Sequence, residues 1–162
     1  MKYFAGLDVS MEETSVCIVD QDGAVVREGR AASDPAALND YLGATGLRFE
    51  RVGFESGPSS AWLYKGLSAA GLLVICMDAR HTSAALKAQN VKTDRNDARG
   101  IAQIVRTGWY RLAHVRSEES QRRRVLLTSR KTLLEQRIEL ENQIRGSLKV
   151  FGLKVGQDAT AI

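Results

Sequence analysis

Four acids stand where a carboxylate is costly unless something neutralises it. Asp8 closes the apolar run Tyr3-Phe4-Ala5-Gly6-Leu7. An ionised carboxylate in a central strand needs a partner or a cation. Glu55 ends Val52-Gly53-Phe54 in the same way. Asp94 and Asp97 lie three apart in Lys92-Thr93-Asp94-Arg95-Asn96-Asp97, so a helix starting at or just before Asp94 puts both on one face. Asp97 precedes Ile101 by four, and Ile101 leads to Ile104 and Val105; Asp97 should therefore top the buried stripe and point at the sheet. Carboxylates brought together repel each other. Hard oxygen donors suit Mg²⁺ or Mn²⁺, and two such ions assist both the attacking and the leaving oxygen of a phosphodiester. Small neighbours, Ser10 beyond Asp8 and Ser56-Gly57 after Glu55, leave room for a phosphate. Each acid alone has a structural reading: helix-start acids for Asp94 and Asp97, an arginine's partner for Asp8, plain surface for Glu55. The four in this order, carried by strands and a helix, favour a metal-dependent site.

The elements that must position them follow from period and punctuation. Residues 3–9, 14–20 and 24–30 read as three strands of a meander, the second turn marked by Asp22-Gly23. Asp34-Pro35 reads as a helix start, with Leu38, Tyr41 and Leu42 at helical spacing up to Gly43 or Gly46. Arg51–Glu55 is a fourth strand and Leu72–Met77 a fifth. Between them lies a helix capped by Ser59 or Ser60 and ended by Gly71, with Trp62, Leu63, Leu67 and Ala70 on its core face. The order β-β-β-α-β-α-β predicts an α/β mixed sheet flanked by helices. After the polar segment His81–Lys92, a third helix runs from near Asp94 to Gly108, and Trp109–Ser117 connects onward. From Glu118 to Phe151 the pattern is helical and charged. Leu126, Leu133, Leu140, Ile144, Leu148 and Phe151 form a stripe, Leu127, Leu134 and Ile138 lie beside it, and Arg130, Arg137 and Glu141 interrupt it. A broad, interrupted stripe fits a long helix against neighbours better than a simple zipper, and leaves leucines that self-association would cover.

The chain of 162 residues is 44% hydrophobic and 26% charged, ordinary for a globular protein. No apolar run approaches a membrane span and no signal-peptide core opens the chain, so a cytoplasmic protein is expected. Cys17 and Cys76 sit in apolar runs without a CxxC, and His81 and His114 are isolated, which speaks against zinc. Between Arg80 and Lys131 there are thirteen Lys or Arg against four acids, although the whole chain carries only +4. Such asymmetry suits a polyanionic partner, most simply nucleic acid.

Gly6-Leu7-Asp8-Val9-Ser10, then Glu55-Ser56-Gly57-Pro58, then Lys92-Thr93-Asp94-Arg95-Asn96-Asp97-Ala98 resembles the DEDD-type transposases of bacterial insertion sequences, a family that includes bridge-RNA-guided recombinases. The resemblance implies an RNase H-like (RuvC-like) metal-binding domain over residues 1–115. A long basic helix of coiled-coil type over 116–153 and a linker or frayed end over 154–162 would follow. It implies Asp8, Glu55, Asp94 and Asp97 as catalytic metal ligands for Mg²⁺ or Mn²⁺, DNA as substrate, a guide RNA as a further partner, and a homo-oligomer. It also implies a second domain, bearing a catalytic serine, beyond Ile162. Lys92, Arg95 and Arg99 beside the acids, and Arg122, Arg123 and Arg124 on the long helix, are the expected nucleic-acid contacts. A non-catalytic nucleic-acid-binding or assembly module and a Holliday-junction resolvase are the alternatives.

Overall fold

Runs of β-branched and apolar residues build five strands in the computed structural model, which describes residues 1–86 and 93–154. Strand β1 (Tyr3–Val9) pairs antiparallel with β2 (Glu13–Asp20), and β2 antiparallel with β3 (Val25–Ala32). On its other side β1 runs parallel to β4 (Phe49–Glu55), which runs parallel to β5 (Val74–Met77). The order is β3-β2-β1-β4-β5. Helix α1 (Pro35–Gly43) connects β3 to β4, and α2 (Ser60–Ala69) connects β4 to β5. Asp34 caps α1 by accepting from the amides of Ala36 and Ala37, and Pro35 supplies a pre-set φ at the first helical position.

Side chains alternate across the sheet, and the two faces have separate cores. Ala5, Leu7, Val16, Ile18, Val52, Phe54, Val74 and Cys76 pack with Leu38, Leu42, Leu63 and Leu67 of α1 and α2. Phe4, Cys17, Val19 and Met77 pack on the opposite face with α4 (Asp94–Thr107) through Ala98, Ile101, Ala102, Ile104 and Val105. The paired glycines Gly6 and Gly53 let α4 descend onto the strands. A Cβ at Gly6 would strike backbone atoms of Ala98 and Ala102, and one at Gly53 would strike Val105 Cγ2. Both cysteines are buried, and burial first, then the charge of Glu28, pushes the Cys17 thiol up to about 11.

Two elements differ from the sequence reading. Residues expected to be a polar connection include α3 (Ala79–Leu86), which starts directly after β5. Asp78 seeds it by accepting from the His81 amide at 3.0 Å. Trp62, expected in the core, is 52% exposed; Leu63 and Leu67 are the residues of α2 that face inward. The fifth strand is not left as an open edge. The Ala113 amide donates to the Cys76 carbonyl, and Met77 pairs antiparallel with Leu112. Beyond Arg116 a second compact unit begins at Ser117. It contains α5 (Glu118–Val150), a 33-residue helix with no buried residue, capped by Ser117. Among the described residues no helix is long and apolar enough to cross a membrane.

The glycine contacts make a paired prediction. Gly53→Ala should destabilise the fold by about 1–3 kcal/mol through overpacking, and Val105→Ala in the same chain should recover part of that loss. Gly6→Ala should cost at least as much with no rescue from Val105→Ala, because its added methyl meets backbone. Urea unfolding of the four variants reads both; equal rescue at the two positions would contradict the contact geometry.

Candidate functional site

Helix α4 runs opposite to β1. Near its C-terminal end the Val105 carbonyl accepts from Arg51 Nη1 of early β4 at 3.4 Å. Arg106 Nη1 and Gln103 Nε2 donate to the carbonyls of Gln21 and Gly23 at the β2–β3 turn. Its N-terminal end therefore reaches the edge of the sheet where β1 and β4 finish. Thr93, not Asp94, is the N-cap, its side chain accepting from the Asn96 amide at 3.2 Å. Asp94 and Asp97 both lie in the first turn, where the helix dipole favours negative charge. Asp97 is half-buried above the apolar stripe, as its spacing from Ile101 implied, and Asp94 is exposed.

The strands deliver the other two acids to the same face. Gly6 faces α4, so two residues on, Asp8 faces the same way. Gly53 and Glu55 repeat the relation on β4. Gly6 pairs with Gly53 and Leu7 with Phe54, so one step further the register sets Asp8 alongside Glu55. Across the sheet Asp8 pairs with Ser15, and Ser15 with Arg30. One row therefore reads Glu55, Asp8, Ser15, Arg30, with the first turn of α4 at its end of the face. Asp8 and Glu55 are each engaged in polar or electrostatic interactions. The structure thus brings the four acids to one end of one face without closing them into a cage. Among the described residues no three His, Cys, Asp or Glu side chains stand close enough to hold a metal ion. The donor set fits a hard divalent cation in its chemistry, since all four groups are carboxylates.

The basic residues divide. Arg95 and Arg99 both bind Glu28 of β3. Arg95 Nε donates at 2.6 Å and Arg99 Nη2 at 2.9 Å, and Arg99 Nε engages the other carboxylate oxygen. The hydrogen bond from Arg99, then that from Arg95, holds the Glu28 carboxyl down to about 2 against the opposing effect of burial. Glu28 is only 13% exposed at its side chain, and sequence reading passed over it because a charged edge strand presents acids and bases on both faces. The pair tethers the first turns of α4 to β3. Lys92 lies outside the described residues. On α5, Arg122 and Arg123 pair with Glu118 and Glu119 one turn back, all exposed, and pairs of this kind hold little energy. Arg124 is exposed on the same turn.

The chain is similar to known proteins in sequence and in fold. The sequence model of a transposase family, that of the IS110 group, matches residues 5–152. A transposase for insertion sequence element IS1111A from Coxiella burnetii is 27% identical over 156 residues, 95% of this chain. The chain spans 41% of that relative's length. Among solved structures, Thermus thermophilus RuvC in complex with a Holliday junction substrate superposes with a TM-score of 0.50 at 14% identity, over 70% of this chain and all of the other. A second Thermus thermophilus RuvC structure gives 0.48 at 14% identity over 68% of this chain and 99% of that one. The fold is RuvC-like.

Glu28 gives the site an acid limit. Its folded value lies below the usual 4.5, so its ion pairs contribute fully above about pH 4.5 and are lost as pH falls toward 2. Thermal unfolding followed by circular dichroism should show a falling melting temperature across that window. Glu28→Gln should melt lower at pH 7 and lose less between pH 4.5 and 2; a parallel acid profile in the variant would refute the assignment.

Proposed function

The chain belongs to the IS110 transposase family, and from that premise we propose that it is the metal-binding part of a DNA transposase. It acts on DNA phosphodiesters together with a serine-bearing domain. The observation that carries the proposal is the arrangement of Asp8, Glu55, Asp94 and Asp97 at one end of one sheet face.

Asp8, Glu55, Asp94 and Asp97 would hold Mg²⁺ or Mn²⁺. Such ions, when bound, polarise a phosphoryl oxygen and lower the pKa of attacking water. The protein's own part is orientation. Asp8 and Glu55 ride on adjacent parallel strands, so their spacing is set by backbone hydrogen bonds. Asp94 and Asp97 ride on a helix whose first turns are tied to β3 by Arg95 and Arg99. A bound cation would offset the repulsion between such like charges. The arginines that hold Glu28 supply positive charge beside the acids for flanking phosphates. The exposed Arg122–Arg124 turn of α5 offers positive charge of its own to DNA or a guide RNA. Leu126, Leu127, Leu133 and Leu140 of α5 are each more than half exposed. They favour a coiled-coil contact with a second copy, hence a homo-oligomer.

The first test is calorimetric titration of Mn²⁺ into the wild-type chain, Asp8→Asn and Asp97→Asn, with circular dichroism to confirm folding. Saturable binding should weaken in both variants by more than the ~10–100-fold typical of losing an outer-sphere partner. Titration repeated with duplex DNA covers a site completed by substrate. Salt-sensitive DNA binding indifferent to Mn²⁺ and to both substitutions would leave a non-catalytic nucleic-acid-binding module instead.

A further inference from the structure

Beside the acids the α4 face holds a cavity of about 250 Å³, lined by Ser15, Val16, Glu28, Gly29, Arg30 and Arg95. None of the four acids lines it. We infer that this cavity is the seat of a DNA backbone phosphate next to the one acted on, held by Arg30, Arg95 and the Ser15 hydroxyl. The inference deepens the reading above and rests on it, since it takes the acid edge as the place where DNA is processed.

Three observations carry it. The first is position. Ser15 pairs with Asp8, and Arg30 pairs with Ser15, so the floor of the cavity continues the row that begins at Glu55 and Asp8. A strand whose phosphodiester lies at the acids and which runs across β2 and β3 meets Ser15 and Arg30 next. The second is charge. Glu28 contributes one negative charge to the lining, while Arg30 and Arg95 contribute two positive ones, and Arg99 stands behind Glu28. Arg99 grips Glu28 through two nitrogens, so Glu28 is satisfied without Arg95. Arg95 is 68% exposed. Arg30 is 61% exposed and pairs with Glu13 at 3.5 Å, equally exposed, a pairing that water and salt weaken. Both guanidiniums can turn to an anion, and a guanidinium fork matches a phosphate's oxygens. The third is size. A water occupies about 30 Å³ of liquid, so the cavity admits a phosphate with its ester oxygens. Ser15 is 7% exposed and offers a neutral donor at the floor.

The test compares two arginines on one strand. Arg27 lies on the opposite face of β3, its guanidinium 5.1 Å over the Tyr41 ring. Arg27→Ala and Arg30→Ala therefore change net charge equally on opposite faces. Fluorescence anisotropy of a labelled DNA duplex is read against salt for the wild type, Arg27→Ala, Arg30→Ala and Ser15→Ala, with melting temperatures beside each. Arg30→Ala should weaken binding several-fold and reduce the salt slope by about 0.9, the loss of one phosphate contact. Arg27→Ala should leave the slope unchanged, and Ser15→Ala should weaken binding two- to five-fold with no slope change. A methylphosphonate placed at the contacted position should abolish the difference between wild type and Arg30→Ala. An RNA duplex run in parallel identifies the source: loss with RNA alone assigns the seat to an RNA strand and overturns the DNA assignment. Equal slopes for Arg27→Ala and Arg30→Ala, or no effect of either, overturn the seat. Mn²⁺ titration of Arg30→Ala separates the two readings. Intact Mn²⁺ binding with an unchanged DNA slope removes the seat and leaves the metal site, whereas a reduced slope in Arg30→Ala, with no Mn²⁺ bound by the wild type either alone or with duplex, supports the seat and removes the metal site.

Discussion

The backbone of α4 lies directly on Gly6, with the Val105 side chain seated over Gly53, and the placement of the carboxylates on this face follows from those contacts. A helix normally stands off a sheet by the length of the intervening side chains. Here a paired absence of side chains on adjacent strands lets it sink until Ala98 and Ala102 meet β1. The depth fixes how far the first turn of α4 stands from the ends of β1 and β4. Interiors packed at this density transmit small changes in volume. One methyl group at the middle of the sheet would therefore displace acids that are two residues further along the same strands.

A second constraint is electrostatic. The first turns of α4 carry Asp94 and Asp97 on one side and Arg95 and Arg99 on the other. The helix is repelled by the acids at the sheet edge and drawn to Glu28 on β3. Glu28 lies nearly buried, and a buried carboxylate is tolerable only when it is fully paired; two guanidiniums meet that need with charge to spare. The surplus positive charge stands beside the acid cluster. Electrostatic contrast over so short a span suits a substrate that is itself an alternation of reacting phosphodiester and flanking phosphates.

Much of this was readable from residues. Asp22-Gly23, Asp34-Pro35 and the run of apolar strands placed the meander and the crossovers, and an acid closing each of two apolar runs singled out Asp8 and Glu55. The helix from Asp94 followed from Ile101, Ile104 and Val105, with Thr93 taking the capping role one residue earlier. Trp62 shows where periodicity falls short: α2 buries only a narrow stripe, and the residue beside Leu63 is left in solvent. Helix α3 escaped because its small and polar residues give it little apolar content, and its start depends on Asp78 following the last strand. Glu28, Ser15 and Arg30 became visible only through cross-strand register, which joins positions distant in sequence and leaves no local mark.

That same distance sets the order in which the site comes into being. Asp8 and Ser15 are made early, Arg30 and Glu55 next, and α4 only after more than ninety residues have been added. A chain growing from its amino end can form the three-stranded meander long before α4 exists to cover it. The cluster of acids is then no more than two carboxylates at strand ends, open to water. The four acids thus come to share one edge only when the late helix docks, a delay written into the chain's topology.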